Sequence, residues 1–262
     1  MAVKVADFEI GSGAPLALVA GPCVIEPGDA LQRTADALAE LAVRLDISVV
    51  LKASSEKDNR SSAESYRGPG LERGLELLRR AGEASGLPLT SDVHRVEDVK
   101  AAAAVLDLIQ VPALLCRQTS LLEAVGAAGK PVNVKKGQFA STKLMAGARD
   151  KLRAAGAPGV LFTERGTFFG YDQLVADTLN VPRLRALGCP VIFDAGHAAA
   201  NATEIPTLAR AGVAAGADAL FIEVHPDPEA ALCDGQRMLA LDQLEALVRE
   251  VKDIAAATRA RG

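Results

Sequence analysis

Val132-Asn133-Val134-Lys135-Lys136-Gly137-Gln138 is a short apolar run that ends in two lysines, a glycine and an amide, and the amphipathic stretch Thr142–Ala155 follows closely. A run this short and rich in β-branched residues reads as a buried strand, and the longer stretch reads as a helix with one apolar face. The unit recurs along the chain. Apolar runs stand at Leu16–Ala20, Val49–Leu51, Leu89–Ser91, Leu106–Ile109, Val132–Val134, Val160–Phe162, Val191–Phe193 and Ala219–Ile222. Helical patterns stand at Ala30–Leu45, Gly70–Ala84, Val96–Ala104, Leu121–Ala128, Thr142–Ala155, Val175–Ala186, Ile205–Ala215 and Leu241–Thr258.

Strand and helix alternating eight times predict parallel βα units, and 262 residues suit their closure into a (β/α)8 TIM barrel, an α/β fold. A doubly wound open sheet is the alternative, but no G-x-G-x-x-G follows the first run. Without a Pro/Ser linker or a shift of composition, residues 1–262 read as one domain. Val3-Lys4-Val5 and Phe8-Glu9-Ile10 predict a short N-terminal hairpin within residues 1–13, capping the barrel opposite the active site.

The chain is 49% hydrophobic, has no Trp and few other aromatics, and carries a formal net charge of −4. That composition argues against a base-stacking nucleic-acid binder and against general polyanion binding, so any anion site is local. The four cysteines Cys23, Cys116, Cys189 and Cys233 lie far apart with no C-x-x-C pair. No charged-then-apolar leader opens the sequence, and no apolar run is long enough to span a bilayer. These features predict a cytoplasmic protein with reduced thiols and no membrane partner.

In a barrel of this kind the active site gathers where strands end and βα loops begin. Here those points read Gly21-Pro22-Cys23, Lys52 to Ser62, Asp92-Val93-His94, Gln110-Val111-Pro112, Lys135 to Gln138, Glu164-Arg165-Gly166, Asp194 to His197 and Glu223-Val224-His225. Lys52, Lys57, Arg60, Arg117, Lys135, Lys136 and Arg165 map to this one rim. Guanidinium and ammonium groups in such number call for phosphate or carboxylate, and for more than one of them. No Ser-His-Asp elbow and no P-loop is present.

Cys23, His197 and Glu223 fall at the ends of the first, seventh and eighth strands, with Asp234 on the loop after the eighth. Closure makes these strands neighbours. A thiolate, an imidazole and two carboxylates suit a divalent transition ion such as Mn, Fe or Zn better than Mg²⁺ or Ca²⁺. Taken singly, each has an ordinary alternative: a core thiol, a satisfied imidazole, a salt-bridge carboxylate.

At these residues the chain resembles the 3-deoxy-D-manno-octulosonate 8-phosphate synthases. The marks run nearly end to end: Ala20-Gly-Pro-Cys23, Lys57-Asp-Asn-Arg-Ser-Ser62, Ser65-Tyr-Arg-Gly-Pro-Gly70, Ser91-Asp-Val-His94, Asp107-Leu-Ile-Gln-Val-Pro112, Arg117-Gln-Thr119, Asn133-Val-Lys-Lys-Gly-Gln-Phe139, Arg165-Gly166 with Phe169-Gly-Tyr-Asp172, and Phe221-Ile-Glu-Val-His-Pro-Asp-Pro228. The resemblance implies a homotetrameric barrel that condenses phosphoenolpyruvate with arabinose 5-phosphate, releases phosphate and feeds lipopolysaccharide synthesis. It implies that Lys135 and Arg165 hold phosphoenolpyruvate, with Lys57, Gln110 and Arg117 nearby, and that Asn59, Arg60 and Ser61 clamp the pentose phosphate. Lys52, Ser54 and Gln138 join the substrate-binding set, and Lys57, Lys135, Asp92 and Asp234 form the catalytic set. Cys23 matches the metal-requiring branch, which makes Cys23, His197, Glu223 and Asp234 the implied ligands.

The chain departs from the family pattern at Ala198 to Pro206, which is short, and at Cys233-Asp234-Gly235, a spelling of the metal-independent branch. The competing readings are a sister synthase taking another aldose phosphate, such as erythrose 4-phosphate, and a non-catalytic barrel that binds phosphorylated metabolites.

Overall fold

The computed structural model describes residues 1–60, 62–170 and 174–259. Strands β1 (Ala2–Val5) and β2 (Phe8–Gly11) form an antiparallel hairpin with Val3 opposite Ile10. The barrel strands follow as β3 (Ala17–Gly21), β4 (Ser48–Lys52), β5 (Leu89–Asp92), β6 (Leu108–Val111), β7 (Val132–Lys135) and β8 (Val160–Glu164). A small hairpin, β9 (Thr167–Phe168) with β10 (Leu174–Val175), precedes β11 (Val191–Asp194) and β12 (Ala219–His225). Each barrel strand pairs in parallel with the next, and β11 pairs with both β8 and β12, which closes the ring. A short further strand, β13 (Leu239–Ala240), pairs in parallel with the end of β12.

The helices between strands are α1 (Ala30–Leu45), α2 (Leu71–Ser85), α3 (Val99–Ala103), α4 (Thr119–Gly126), α5 (Thr142–Ala154), α6 (Asn180–Arg185), α7 (Ala195–Ala198), α8 (Ile205–Ala214) and α9 (Leu241–Arg259). In α1 the apolar positions Leu31, Ala35, Leu38 and Leu45 recur at helical spacing and lie buried against the barrel wall.

Side chains alternate across a strand, and this sorts the core into two compartments. One set faces the helices: Leu18, Val49, Leu89, Ile109, Val132, Phe162, Phe193 and Ile222 pack with the helix faces. The other set points inward. Val19, Val50, Leu108, Leu161, Ile192 and Phe221 fill the lower barrel together with Val3, Val5 and Ile10 of the hairpin. The hairpin thus closes the end of the barrel where the strands begin.

Two predicted helices are corrected. The sequence suggested a helix over Val175–Ala186, but Leu174–Val175 is strand β10 and α6 spans only Asn180–Arg185. Pro182 explains the late start. Its ring has no N–H to bond residue 178 and would clash with that carbonyl if the helix ran further back. Val96–Ala104 is likewise divided, into a 3-10 turn at Val96–Asp98 followed by α3.

Candidate active site

Moving two residues along each strand from the lower apolar layer changes the chemistry. Val50 is followed by Lys52, Leu108 by Gln110, Leu161 by Thr163, Ile192 by Asp194 and Phe221 by Glu223. Asp92 and Lys135 end β5 and β7 at the same height, each two residues beyond a polar Thr90 or Asn133. The strand register therefore places a charged and polar layer inside the upper barrel.

Hydrogen bonds run around this layer. Thr163 Oγ1 donates to Asn133 Oδ1 (2.8 Å), Asn133 Nδ2 to Gln110 Oε1 (3.0 Å), and Gln110 Nε2 to Asp92 Oδ1 (2.7 Å). Ser54 Oγ completes the arc by donating to Asp92 Oδ2 at 2.5 Å. Burial alone would raise the Asp92 carboxyl, but Lys52, Lys57, His94 and Lys135 outweigh it and hold the group well below the usual carboxylate range.

Two buried ion pairs complete the layer. Lys52 Nζ donates to Glu223 Oε1 and to the Cys23 carbonyl, both at 2.9 Å. Lys135 Nζ donates to Asp194 Oδ2 at 2.8 Å and stands 3.7 Å from the centroid of the Phe221 ring. Burial pushes the Lys135 ammonium below its ordinary value, with Asp194 restoring part of the loss. Burial would likewise raise Asp194 and Glu223, yet His197 and Lys135 depress the first and Lys52 and His197 the second.

The rim adds the implied metal ligands. Cys23 Sγ donates to Asp234 Oδ2 at 3.3 Å, and His197 Nε2 lies 3.9 Å from Glu223 Oε2. Donor atoms of His197, Glu223 and Asp234 all fall within 4.8 Å of one another, as do those of Cys23, Cys233 and Asp234. His197 Nδ1 faces Asp194 Oδ2 at 2.9 Å, which turns Nε2 toward the carboxylates. Burial lowers His197 and favours the neutral imidazole that a metal requires. Asp234 is common to both groups, and their mixed sulfur, nitrogen and oxygen donors are of the kinds that hold divalent metals. Cys233 was not anticipated: its Sγ sits 3.0 Å from Cys23 Sγ and receives Arg60 Nη1 at 2.8 Å. The hydrogen bond to Cys233, with burial, holds the Cys23 thiol well above its usual pKa. Only its place beside Asp234 in the sequence hinted at this.

Gly21 is the hinge of that corner. It has φ +151°, and a Cβ there would meet the Lys52 carbonyl oxygen at 2.0 Å, so only glycine lets the chain bring Cys23 beside β4.

The long loop after β4 is held by its own charges. Arg67 bonds Glu56 and Asp58, and Arg95 bonds Glu56. These contacts engage the acids flanking Lys57. Burial opposes charge on Lys57, but Cys23, Glu223 and Asp92 raise its pKa well above the ordinary lysine value. Asn59, His94, Gln138 and Arg165 line a cavity of about 120 Å³. Arg165 Nη1 and Gln138 Oε1 are buried and unpartnered among the described residues, as is Arg60 Nε. Ser61 of the implied pentose clamp lies outside the described residues, as does Asp172.

Two cations leave the group that the sequence assembled. Arg117 is exposed and lines a separate cavity of about 160 Å³ with Lys143 and Lys151. Lys136 is fully buried beneath the loops after β7 and β8, with its ammonium turned to their oxygens and away from the barrel interior.

A parallel (β/α)8 barrel with a cation-lined upper layer and a mixed sulfur, nitrogen and oxygen donor cluster defines a class: barrels that handle phosphorylated, carboxylated metabolites at their strand ends. The chain belongs to the DAHP synthetase I family, whose sequence profile matches residues 1–260. It is 48% identical to a 2-dehydro-3-deoxyphosphooctonate aldolase of Syntrophotalea carbinolica, covering 96% of this chain and 95% of that protein. Proteins of the same name from Desulfotalea psychrophila and Aromatoleum aromaticum are 47% and 45% identical, over 96% and 99% of this chain and 94% and 98% of theirs.

Proposed function

We propose that this chain condenses phosphoenolpyruvate with arabinose 5-phosphate and water, giving 3-deoxy-D-manno-octulosonate 8-phosphate and inorganic phosphate. The observation that carries this reading is the convergence of Lys52, Lys57, Lys135 and Arg165 on an upper barrel that also holds unpartnered Arg165 Nη1 and Gln138 Oε1. Such a set of cations suits a ligand with both a carboxylate and a phosphate. The name shared by its near-full-length relatives supports the choice of substrates.

In this reading Lys135 and Arg165 hold phosphoenolpyruvate, with Lys57 and Gln138 beside them, and Asn59, Arg60 and Ser61 hold the sugar phosphate. Arg117 acts at the outer rim. Holding both anions together makes the carbon–carbon bond-forming step effectively unimolecular. The enol carbon attacks the aldehyde, water adds to the cationic carbon that results, and the tetrahedral intermediate expels phosphate. The ammonium and guanidinium groups stabilise charge gathering on the departing phosphate. Asp92, held by Ser54 and Gln110 and kept ionised by its lysine neighbours, orders those cations.

Cys23, His197, Glu223 and Asp234 would hold a divalent Mn, Fe or Zn ion. When bound, such an ion supplies Lewis acidity toward an aldehyde or water oxygen. The reading extends to residues 1–262 acting as one domain, to a homotetramer and to a cytoplasmic setting. Four unpaired thiols support the cytoplasmic setting, and no described helix is long and apolar enough to cross a membrane. Leu114, Phe139, Phe168 and Phe169, exposed on the segments after β6, β7 and β8, support subunit contacts.

The test is phosphate release from phosphoenolpyruvate plus arabinose 5-phosphate, before and after chelation and after Mn²⁺ or Zn²⁺ is restored, with erythrose 4-phosphate in parallel. Release with the pentose that fails on chelation and returns with metal is expected. Release that persists in protein shown to be stripped sinks the metal role. Release with erythrose 4-phosphate alone moves the chain to the sister reaction.

A further inference from the structure

Lys135 and Lys136 are adjacent in sequence, so they leave the end of β7 in opposite directions. Lys135 enters the barrel. The Lys136 ammonium is directed instead at Gly166 O and Thr167 Oγ1, both at 3.1 Å, and at Gly137 O at 3.3 Å. Ala140 O and Glu164 Oε2 stand 3.5 Å away. An ammonium has three N–H groups, and five oxygens compete for them. Nothing is left over for a substrate anion.

Four of the five oxygens belong to the segments after β7 and β8, and the fifth to Glu164 at the end of β8. Gly137 to Ala140 follow β7, and Gly166 and Thr167 follow β8. Between these anchor points lie Gln138 and Arg165, whose buried Oε1 and Nη1 atoms have no partner among the described residues. The clamp brackets Arg165 from both sides. Glu164, the residue before it, contacts Lys136 and accepts the Gly166 amide at 2.8 Å through its other oxygen. Gly166, the residue after it, gives Lys136 its carbonyl and has φ +97°. A backbone bond from Phe168 N to Gln138 O (3.1 Å) ties the two loops together. A buried cation spent on backbone carbonyls fixes the position of whatever those loops carry.

We propose that Lys136 is a positioning residue that locks the loops after β7 and β8 together, setting Arg165 and Gln138 for the phosphoenolpyruvate anion without touching it. The inference rests on the substrate assignment proposed above.

The experiment is calorimetric binding of phosphoenolpyruvate by the full chain and its Lys136→Met, Arg165→Ala and doubly substituted forms, with KM measured separately for each substrate. Lys136→Met is expected to weaken phosphoenolpyruvate binding about tenfold or more, the scale of a misplaced charge-assisted contact. The KM for arabinose 5-phosphate should stay within about threefold on the same grounds, since its implied clamp lies on another loop. Because Lys136 acts in large part through Arg165, Lys136→Met should cost less in the Arg165→Ala background than it does alone. Additive losses, equal effects on both substrates, or binding unchanged by Lys136→Met would each overturn the proposal. If Lys136→Met does not fold, the same cycle is run with Lys136→Met/Glu164→Gln, which leaves no lone buried charge. A chain that folds in neither form also overturns it, because Lys136 then holds the fold and not the two loops. Failure of the wild-type chain to bind phosphoenolpyruvate would defeat the substrate reading and this inference together. Wild-type binding that survives Lys136→Met defeats this inference alone.

Discussion

The lower and upper halves of the barrel interior are built by the same strands and differ in almost everything else. Below, Val3, Ile10, Val50, Leu108, Leu161 and Ile192 make a plug of packed apolar side chains. One turn of the pleat above, Lys52, Gln110, Thr163 and Asp194 are as deeply buried, but every one spends its polar atoms on a neighbour. The plug gains by leaving water. The upper layer gives up hydration and recovers only part of it through internal pairing. The plug therefore serves stability, and the layer above it holds charge in place at a cost that function must justify.

Lys135→Met should break the comparison most severely. Removing a preorganised cation from the site should cut turnover by about 10²- to 10³-fold. It also leaves Asp194 without its ammonium partner, so urea denaturation should show a loss of stability. Lys135→Met/Asp194→Asn should recover stability and none of the turnover. Recovery of both would place Lys135 outside the reaction.

Leu161→Ala is the converse. A cavity in the plug should cost about 2–5 kcal/mol in urea unfolding. Arabinose 5-phosphate KM should not move, because no substrate contact changes. A large change in KM with little loss of stability would mean that the two halves are not separate in role.

Acid should separate the halves more gently. Asp92, Asp194 and Glu223 titrate below their ordinary values because lysines surround them, with His94 beside the first and His197 beside the other two. A carboxyl depressed in the folded state stabilises it above its unfolded pKa of about 4 and loses that contribution as pH falls further. Burial raises Glu164 and Asp218, which act in the opposite direction and reduce the net slope. Urea midpoints should begin to fall as pH drops through about 6.5, because burial holds His197 below its unfolded pKa, and should fall more steeply below about pH 4. Substituting Leu161 should shift that curve without changing its shape; a changed shape would couple the plug to the charged layer.

The two halves also differ in how far they could be read from sequence. Every barrel strand was legible because its helix-facing residues are apolar, and strand ends were legible because polarity changes within two positions, as from Ile192 to Asp194. Local signals gave α1 to the residue, while Pro182 displaced α6 from its expected start. Partners across the barrel were harder. Cys23 and Cys233 meet only because β3 and β12 are neighbours, and no spacing in the chain encodes a contact between loops. Lys136 shares a motif with Lys135, and sequence alone groups it with the anion-binding cations. The side on which it leaves β7 depends on strand register, and its burial depends on two loops closing over it.

The smallest effect should come from Thr163→Val, inside the charged layer but at the start of its hydrogen-bonded arc. Valine keeps the shape and removes the hydroxyl that Thr163 gives to Asn133 Oδ1. A buried acceptor left without a donor costs about 1–3 kcal/mol. Asn133 would still be held through Gln110, and Gln110 through Asp92, so each later member of the arc loses less order than the one before. A loss of about 1 kcal/mol in urea unfolding should accompany a fall in kcat/KM of less than about tenfold. A loss of activity as large as that of Lys135→Met would show that the arc positions the reacting groups directly. No effect on either quantity would mean that Asn133 finds another donor, and the upper layer would then resemble the plug beneath it more closely than its hydrogen bonds suggest.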